Sequence, residues 1–235
     1  MATKQAKRIQ ESFLNGAEKK ALKWLAERQP SWVTSDLLTT VGFIGSVMMC
    51  AGYILSSVNI NWLWFCSLGY VINWYGDSLD GTLARVRNQQ RPIYGFYLDH
   101  TMDAVNEVLM FMGAGLSTLM HLPIAMFALV IYLLLTINVT INTHLKGEFK
   151  LTYAKFGPTE LRLLMVIINT LFIFIKPLRE FESAPISLCG TTFCLKAFDF
   201  FAIGVIVIIT LMYITAVLKD LKEYDRIDPK PNKKQ

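Results

Sequence analysis

The sequence predicts an all-α polytopic membrane protein, with six transmembrane helices preceded by an amphipathic helix on the membrane surface. Three observations carry this. Of 235 residues, 53% are hydrophobic and only 17% are charged. The apolar residues gather into runs long enough to cross a bilayer. The lysines and arginines fall almost entirely on one side of those runs.

Residues 1–36 read as the surface helix and its lead-in. Ile9, Phe13, Ala17, Ala21 and Leu25 recur every fourth residue, and Leu14 and Leu22 widen the stripe. Lys19, Lys20, Lys23 and Arg28 supply basic side chains for anionic lipid. A soluble amphipathic helix would carry a similar stripe, but a span follows almost at once, which favours the interfacial reading. The first 20 residues are too polar to hold the apolar core of a signal peptide, so the first span is expected to direct insertion. Pro30 ends the helix, Trp32 marks an interface position, and Asp36 is expected to N-cap the first span.

A transmembrane domain over residues 37–218 follows, with spans at 37–58, 61–75, 95–119, 122–143, 161–175 and 198–218. Gly42, Gly45 and Gly52 in the first span predict close helix packing. The second delivers Asp77 and Asp80 to its far end, and the third carries Asp99 and Asp103 in its first turns. Thr140, Asn142, Thr143 and His144 make the end of the fourth polar, so they are expected to face a cavity or water. Gly157-Pro158-Thr159-Glu160 opens the fifth, with Thr159 and Glu160 suited to a first helical turn. Residues 219–235 form a polar cytoplasmic tail, expected to be mobile.

Six spans leave only Lys176, Arg179 and Lys196 of the 23 basic residues on one side, so the rich side is cytoplasmic by the positive-inside rule. The four aspartates then open to the cytoplasm of a cell whose inner membrane or endoplasmic reticulum holds the chain. The net charge of +5 is therefore a matter of topology. With no basic face interleaved with aromatics and no zinc-knuckle spacing, nucleic acid is not an expected partner. Four cysteines are too few for a disulfide scaffold. Cys50 and Cys66 read as small buried hydrophobes. Cys189 and Cys194 fall on the opposite side of the membrane, where a disulfide between them would persist.

The chemistry concentrates between Gly76 and Asn106. Asp77 and Asp80 are spaced i,i+3 and Asp99 and Asp103 i,i+4, so each pair shares a helix face. Carboxylates at membrane depth face a bundle interior or a wet cavity. Four of them together repel unless cations lie between, and hard oxygen donors suit Mg²⁺, Mn²⁺ or Ca²⁺ rather than zinc. Gly81 and Ala84 leave room beside the helix, Arg85 can grip a phosphate with two parallel hydrogen bonds, and Gly95 leaves space one turn before Asp99. Together they suit a diphosphate held for transfer.

The pattern Asp77-x2-Asp80-Gly81-x2-Ala84-Arg85-x9-Gly95-x3-Asp99-x3-Asp103 resembles the signature of the CDP-alcohol phosphotransferase family, also called CDP-alcohol phosphatidyltransferases. Eight fixed positions over 27 residues carry the resemblance. It implies a phospholipid-biosynthetic enzyme that moves a substituted phosphate from a CDP-linked donor to an alcohol acceptor and releases CMP, one of the two substrates being a lipid. It implies one or two Mg²⁺ or Mn²⁺ ions held by Asp77, Asp80, Asp99 and Asp103, with Asp103 as general base. Gly81 and Ala84 would admit the cytidine, Arg85 would hold a phosphate, and Gly95 would keep the reaction centre open. It also implies a homodimer. Asp99-His100-x2-Asp103-x2-Asn106 and Gly157-Pro158-Thr159-Glu160 resemble the choline/ethanolamine phosphotransferase branch. Before the first span, Ser35 and Asp36 stand where the family commonly has Pro and Asn, which leaves N-capping as the reading for Asp36.

Lys146, Lys150, Lys155 and Arg162 could bind an acceptor phosphate, as basic residues of this region do in the inositol-phosphate branch, but no motif carries over and positive-inside bias is the favoured explanation. Three other readings stand beside the enzyme. An aspartate-rich membrane prenyltransferase would show different aspartate motifs and more spans. A divalent-cation transporter leaves Gly81, Ala84, Arg85 and Gly95 unexplained. An inactive family member is at odds with the intact aspartates.

Overall fold

The computed structural model describes residues 7–9, 14–146, 148–150, 157–188 and 191–230. Among them are the helices α1 (Asn15–Glu27), α2 (Ser35–Ser56), α3 (Trp62–Val86), α4 (Pro92–Gly115), α5 (Leu122–Lys146), α6 (Pro158–Phe174), α7 (Lys176–Arg179) and α8 (Ala197–Ile227). Four three-residue strands complete them. β1 (Lys7–Ile9) pairs in parallel with β2 (Glu148–Lys150), and β3 (Ile186–Leu188) pairs antiparallel with β4 (Thr191–Phe193). The chain is thus nearly all-α, and α2, α5 and α8 are long and apolar enough to cross a membrane, the mark of an integral membrane protein.

The N-terminal helix covers less than its stripe suggests. Ile9 lies in β1, and Phe13 lies outside the described residues. The buried face of α1 is Glu18, Leu22 and Ala26, while Ala17 and Ala21 are exposed. The physical reason is a polar anchor. Glu18 accepts from Trp74 Nε1 at 2.9 Å and from Thr159 Oγ1 at 2.6 Å, so its carboxylate is worth burying. Leu22 and Ala26 follow it into a cluster with Leu79 and Leu83 of α3. Trp24 and Trp32 stay exposed.

The expected cap of the first span shifts by two residues. Thr34, with extended backbone, accepts from Leu37 N at 3.2 Å and caps α2. Asp36 sits in the first turn, where its charge suits the helix dipole, 3.4 Å from Arg91.

The helix of the second span does not stop at Tyr75. It runs on to Val86, which places Asp77 and Asp80 inside α3 rather than at its end. Its stop is a Schellman motif: Asn88 has φ 55°, Gln89 N donates to Ala84 O, and Asn88 N donates to Arg85 O. The next residue of consequence, Arg87, donates to the carbonyls of Val33 (2.5 Å), Gln29 (2.9 Å) and Pro30 (2.8 Å). It thereby ties the end of α3 to the turn between α1 and α2.

The glycines of α2 do what their spacing predicts. A Cβ on Gly52 would lie 2.6 Å from Cys66 N, and one on Gly42 3.2 Å from Asp77 N. Glycines let the two backbones approach, and polar groups then bridge the seam. Asn73 donates to Gly42 O (3.1 Å) and Ser46 Oγ (3.0 Å). Deeper in, Tyr53 donates to Asn169 Oδ1, and Asn169 Nδ2 donates to Ser67 Oγ, which binds α6 to the same pair.

The last helix is held mainly by its ends. Asp199, fully buried, accepts from Lys196 N and His121 N at 2.8 Å each, and its other contact is His121 Nδ1 at 2.6 Å. At the opposite end α8 continues nine residues past the expected boundary at Leu218. The extension is helical because it has partners. Lys146 Nζ reaches Asp220 Oδ1 (2.9 Å) and Glu223 Oε2 (2.8 Å), Asn142 donates to Asp220, and Tyr224 donates to Asn142. Cys189 lies outside the described residues, and so does any test of its pairing with Cys194.

Three outcomes follow. Arg87→Ala removes a charged donor from three carbonyls and is expected to cost about 2 kcal/mol, read as a lower thermal midpoint in detergent; an unchanged midpoint would contradict the tie. Gly52→Ala is expected to destabilise by roughly 1–3 kcal/mol through overpacking, with the same measurement as check. Lys146→Met should raise hydrogen–deuterium exchange in residues 219–227 without affecting α2 and α3; unchanged protection would mean that the cluster does not hold the extension.

Candidate active site

Two helices meeting at one tight turn carry the eight signature residues. α3 supplies Asp77, Asp80, Gly81, Ala84 and Arg85, and α4 supplies Gly95, Asp99 and Asp103. Pro92 opens α4 at a position where its missing N–H costs nothing. The helix is therefore established before Asp99, and its carboxylates face α3 one turn apart.

The structure brings three of the four aspartates together. Asp77, Asp99 and Asp103 each offer a carboxylate oxygen, and these oxygens lie within 4.8 Å of one another. Three hard oxygen donors at this separation fit a metal ion, and without a cation they repel. Asp80 is oriented differently. Its Oδ2 accepts from Thr39 Oγ1 at 2.7 Å and its Oδ1 from Gly81 N, while Ser35 Oγ donates to its backbone carbonyl. α2 thus sets where the fourth carboxylate points.

A cavity of about 2070 Å³ joins these groups. Common small-molecule pockets measure roughly 300–1,000 Å³, so this one has room for more than one substrate. Gly81, Ala84, Arg85, Gly95 and all four aspartates line it. A Cβ on Gly95 would meet nothing within 4 Å, and one on Gly81 would meet only Arg85 Nη1 at 3.4 Å. Arg85 donates to Thr82 Oγ1 at 2.9 Å. α8 contributes apolar lining, with Phe200, Phe201, Val205, Ile208 and Ile209. One chamber therefore offers both charged and hydrocarbon lining. Thr140, Thr143 and His144 line it as well, whereas Asn142 turns to Asp220.

Of the four basic residues considered for an acceptor phosphate, the two with described side chains have different partners. Lys146 is engaged by Asp220 and Glu223. Arg162 Nη2 donates to Asp77 Oδ2 at 2.6 Å, both side chains about one-fifth exposed. Lys155 and the side chain of Lys150 lie outside the described residues.

Sequence reasoning missed Thr39 and Glu107, and named Arg162 without its contact to Asp77. Thr39 orients Asp80, and a threonine near the start of an apolar span carries no signal for that. Arg162 reaches the aspartates across 85 residues, a contact that only tertiary packing makes. Glu107 lines the cavity, accepts from Thr136 Oγ1 at 3.1 Å, and has no partner at Oε2 among the described residues. It was legible, because Asp99, Asp103 and Glu107 continue one i,i+4 ladder.

Comparison with known proteins gives the family. The family model described as CDP-alcohol phosphatidyltransferase matches residues 32–218. A 96-residue stretch is 32% identical to cholinephosphotransferase 1 of Danio rerio, covering 38% of this chain and 25% of that protein. An 84-residue stretch is 33% identical to phosphatidylinositol phosphate synthase of Cutibacterium acnes (strain DSM 16379 / KPA171202), covering 36% of this chain and 38% of that protein. The chain thus matches well under half the length of either relative. The family match nevertheless runs through both helices that carry the aspartates and on to the cavity wall in α8, and the chain belongs to the CDP-alcohol phosphatidyltransferase family.

Proposed function

We propose that the chain moves a substituted phosphate from a CDP-linked donor to an alcohol acceptor, with release of CMP. The observation that carries this reading is the carboxylate trio of Asp77, Asp99 and Asp103 in a cavity that apolar side chains of α8 also line. A nucleotide diphosphate matches the first environment and a lipid tail the second.

Asp77, Asp99 and Asp103, with Asp80 beside them, are the residues that would hold Mg²⁺ or Mn²⁺, as one ion or two. A divalent ion there supplies neutralisation of the charge that develops on the departing CMP phosphate. The acceptor oxygen attacks the phosphorus that bears the transferred group, its bond to the CMP oxygen breaks, and Asp103 takes the acceptor proton on a carboxylate oxygen. Gly81 and Ala84 leave space for the cytidine, Arg85 grips a phosphate through its planar guanidinium, and Gly95 keeps the reaction centre uncrowded. Thr39 and Gly81 N hold Asp80 in one orientation while substrates exchange.

The membrane arrangement belongs to the same proposal. α2, α3, α4, α5, α6 and α8 each cross once in a catalytic domain over 37–218. α1 then rests at the cytoplasmic interface, and the aspartates open to the cytoplasm at a bacterial inner membrane or an endoplasmic reticulum. The distribution of lysine and arginine supports this orientation. Homodimer formation is part of the reading. Of the two substrate arrangements, the Asp99-His100 and Gly157-Pro158-Thr159-Glu160 segments favour a soluble CDP-alcohol with a lipid acceptor.

The test is CMP release by the purified full chain in lipid micelles. One set of reactions offers CDP-choline or CDP-ethanolamine with diacylglycerol, the other CDP-diacylglycerol with small alcohols. Release is expected only with Mg²⁺ or Mn²⁺ present, and Asp103→Asn should lower it by about 10²–10⁴-fold. Metal flux into proteoliposomes, without CMP from either set, would replace the enzyme by a transporter.

A further inference from the structure

We infer that Arg162 is the internal counter-cation of the carboxylate trio and competes with the divalent ion for Asp77. This rests on the metal-site reading of that trio and adds a residue that the eight-position signature does not contain.

The argument begins with charge. Asp77, Asp99 and Asp103 place carboxylate oxygens within 4.8 Å of one another, in a cavity lined largely by hydrocarbon. A protein that must fold, insert and wait for metal needs a positive charge at that point. Arg162 supplies one, donating from Nη2 to Asp77 Oδ2 at 2.6 Å. A guanidinium keeps its charge under all ordinary conditions. Its attraction to the trio is therefore always present, and so is its repulsion of a second cation bound there.

The surroundings say which part moves. The start of α6 is anchored independently of the trio. Glu160 accepts from Gly157 N and Leu14 N at 3.0 Å each, and Thr159 donates to Glu18. Further along, Met165, Ile168, Asn169 and Phe172 bury the face of α6 that packs into the core. Asp77 is likewise fixed, in the interior of α3 against Gly42. Neither backbone has freedom to give way. Exchange of guanidinium for metal is a side-chain event, in which Arg162 swings off Asp77 Oδ2 into the cavity it already lines.

Competition and support predict opposite signs. If Arg162 merely oriented Asp77 as a ligand, its removal would weaken metal binding. If it competes, removal strengthens binding and leaves the metal-free protein with uncompensated repulsion. Calorimetric titration of the EDTA-treated full chain with Mn²⁺ in detergent reads the difference directly. Arg162→Gln is expected to bind Mn²⁺ about tenfold tighter, as loss of one nearby positive charge implies. It should also show a lower metal-free melting midpoint and a larger Mn²⁺-induced rise. Arg162→Lys keeps the charge and should stay close to the parent protein.

A second measurement needs no variant. Phenylglyoxal modification mapped by mass spectrometry should show Arg162 reacting faster once Mn²⁺ is added. Equal or weaker Mn²⁺ binding by Arg162→Gln, or unchanged or slower labelling of Arg162 with Mn²⁺, would overturn the inference while leaving the metal site standing. Mn²⁺ binding that is absent, or indifferent to Asp99→Asn, would overturn the metal site along with it.

Discussion

Mutual repulsion among Asp77, Asp99 and Asp103 is the constraint around which this bundle is arranged. Three carboxylate oxygens within 4.8 Å cost a folded chain dearly in a medium of low dielectric. They stay together because each is carried by a rigid helix that other contacts secure. α3 is locked against α2 through glycine contacts and the Asn73 bridge. Arg162 lends its charge from α6, and the Schellman turn at Asn88 fixes the path from α3 to α4. The turn sets the approach of the two acidic helices, and the guanidinium makes that approach bearable.

The cavity lining from α8 obeys a different rule. Only 6% of the apolar window of α8 is buried, so packing along its length holds it weakly. Its two polar ends take over, through Asp199 with His121 on one side and Lys146 with Asp220 and Glu223 on the other. A wall secured mainly at its ends leaves its middle free to meet hydrocarbon, whether from lipid or from a substrate chain. The combination of a braced acidic corner and an end-pinned apolar wall is what gives the cavity two chemistries.

Much of the site was legible because its residues are close in sequence. Eight positions over 27 residues could be read as two helix faces, and α3 and α4 confirm that geometry. The boundaries were less legible. Tyr75 reads as the end of a span because polar residues follow it, yet α3 continues, since Asp77 and Asp80 find room in a cavity instead of needing water beyond a helix end. Leu218 reads as a boundary for the same reason, and α8 continues because Lys146 and Asn142 offer partners to Asp220 and Tyr224. In α1 the apolar stripe pointed to Ala17 and Ala21, but the buried face was chosen by Glu18, whose partners lie on α3 and at the start of α6.

What the sequence determined by itself is the helical class, the family and the two acidic helix faces. All three depend on periodicity and on spacing within one or two turns, which a linear pattern records. Tertiary structure decided the rest: that Thr39 orients Asp80 and that Arg162 neutralises Asp77. Those relations join residues far apart along the chain, and neither Thr39 nor Arg162 has a periodic partner to announce its role. Only packing places the donor within reach of its acceptor.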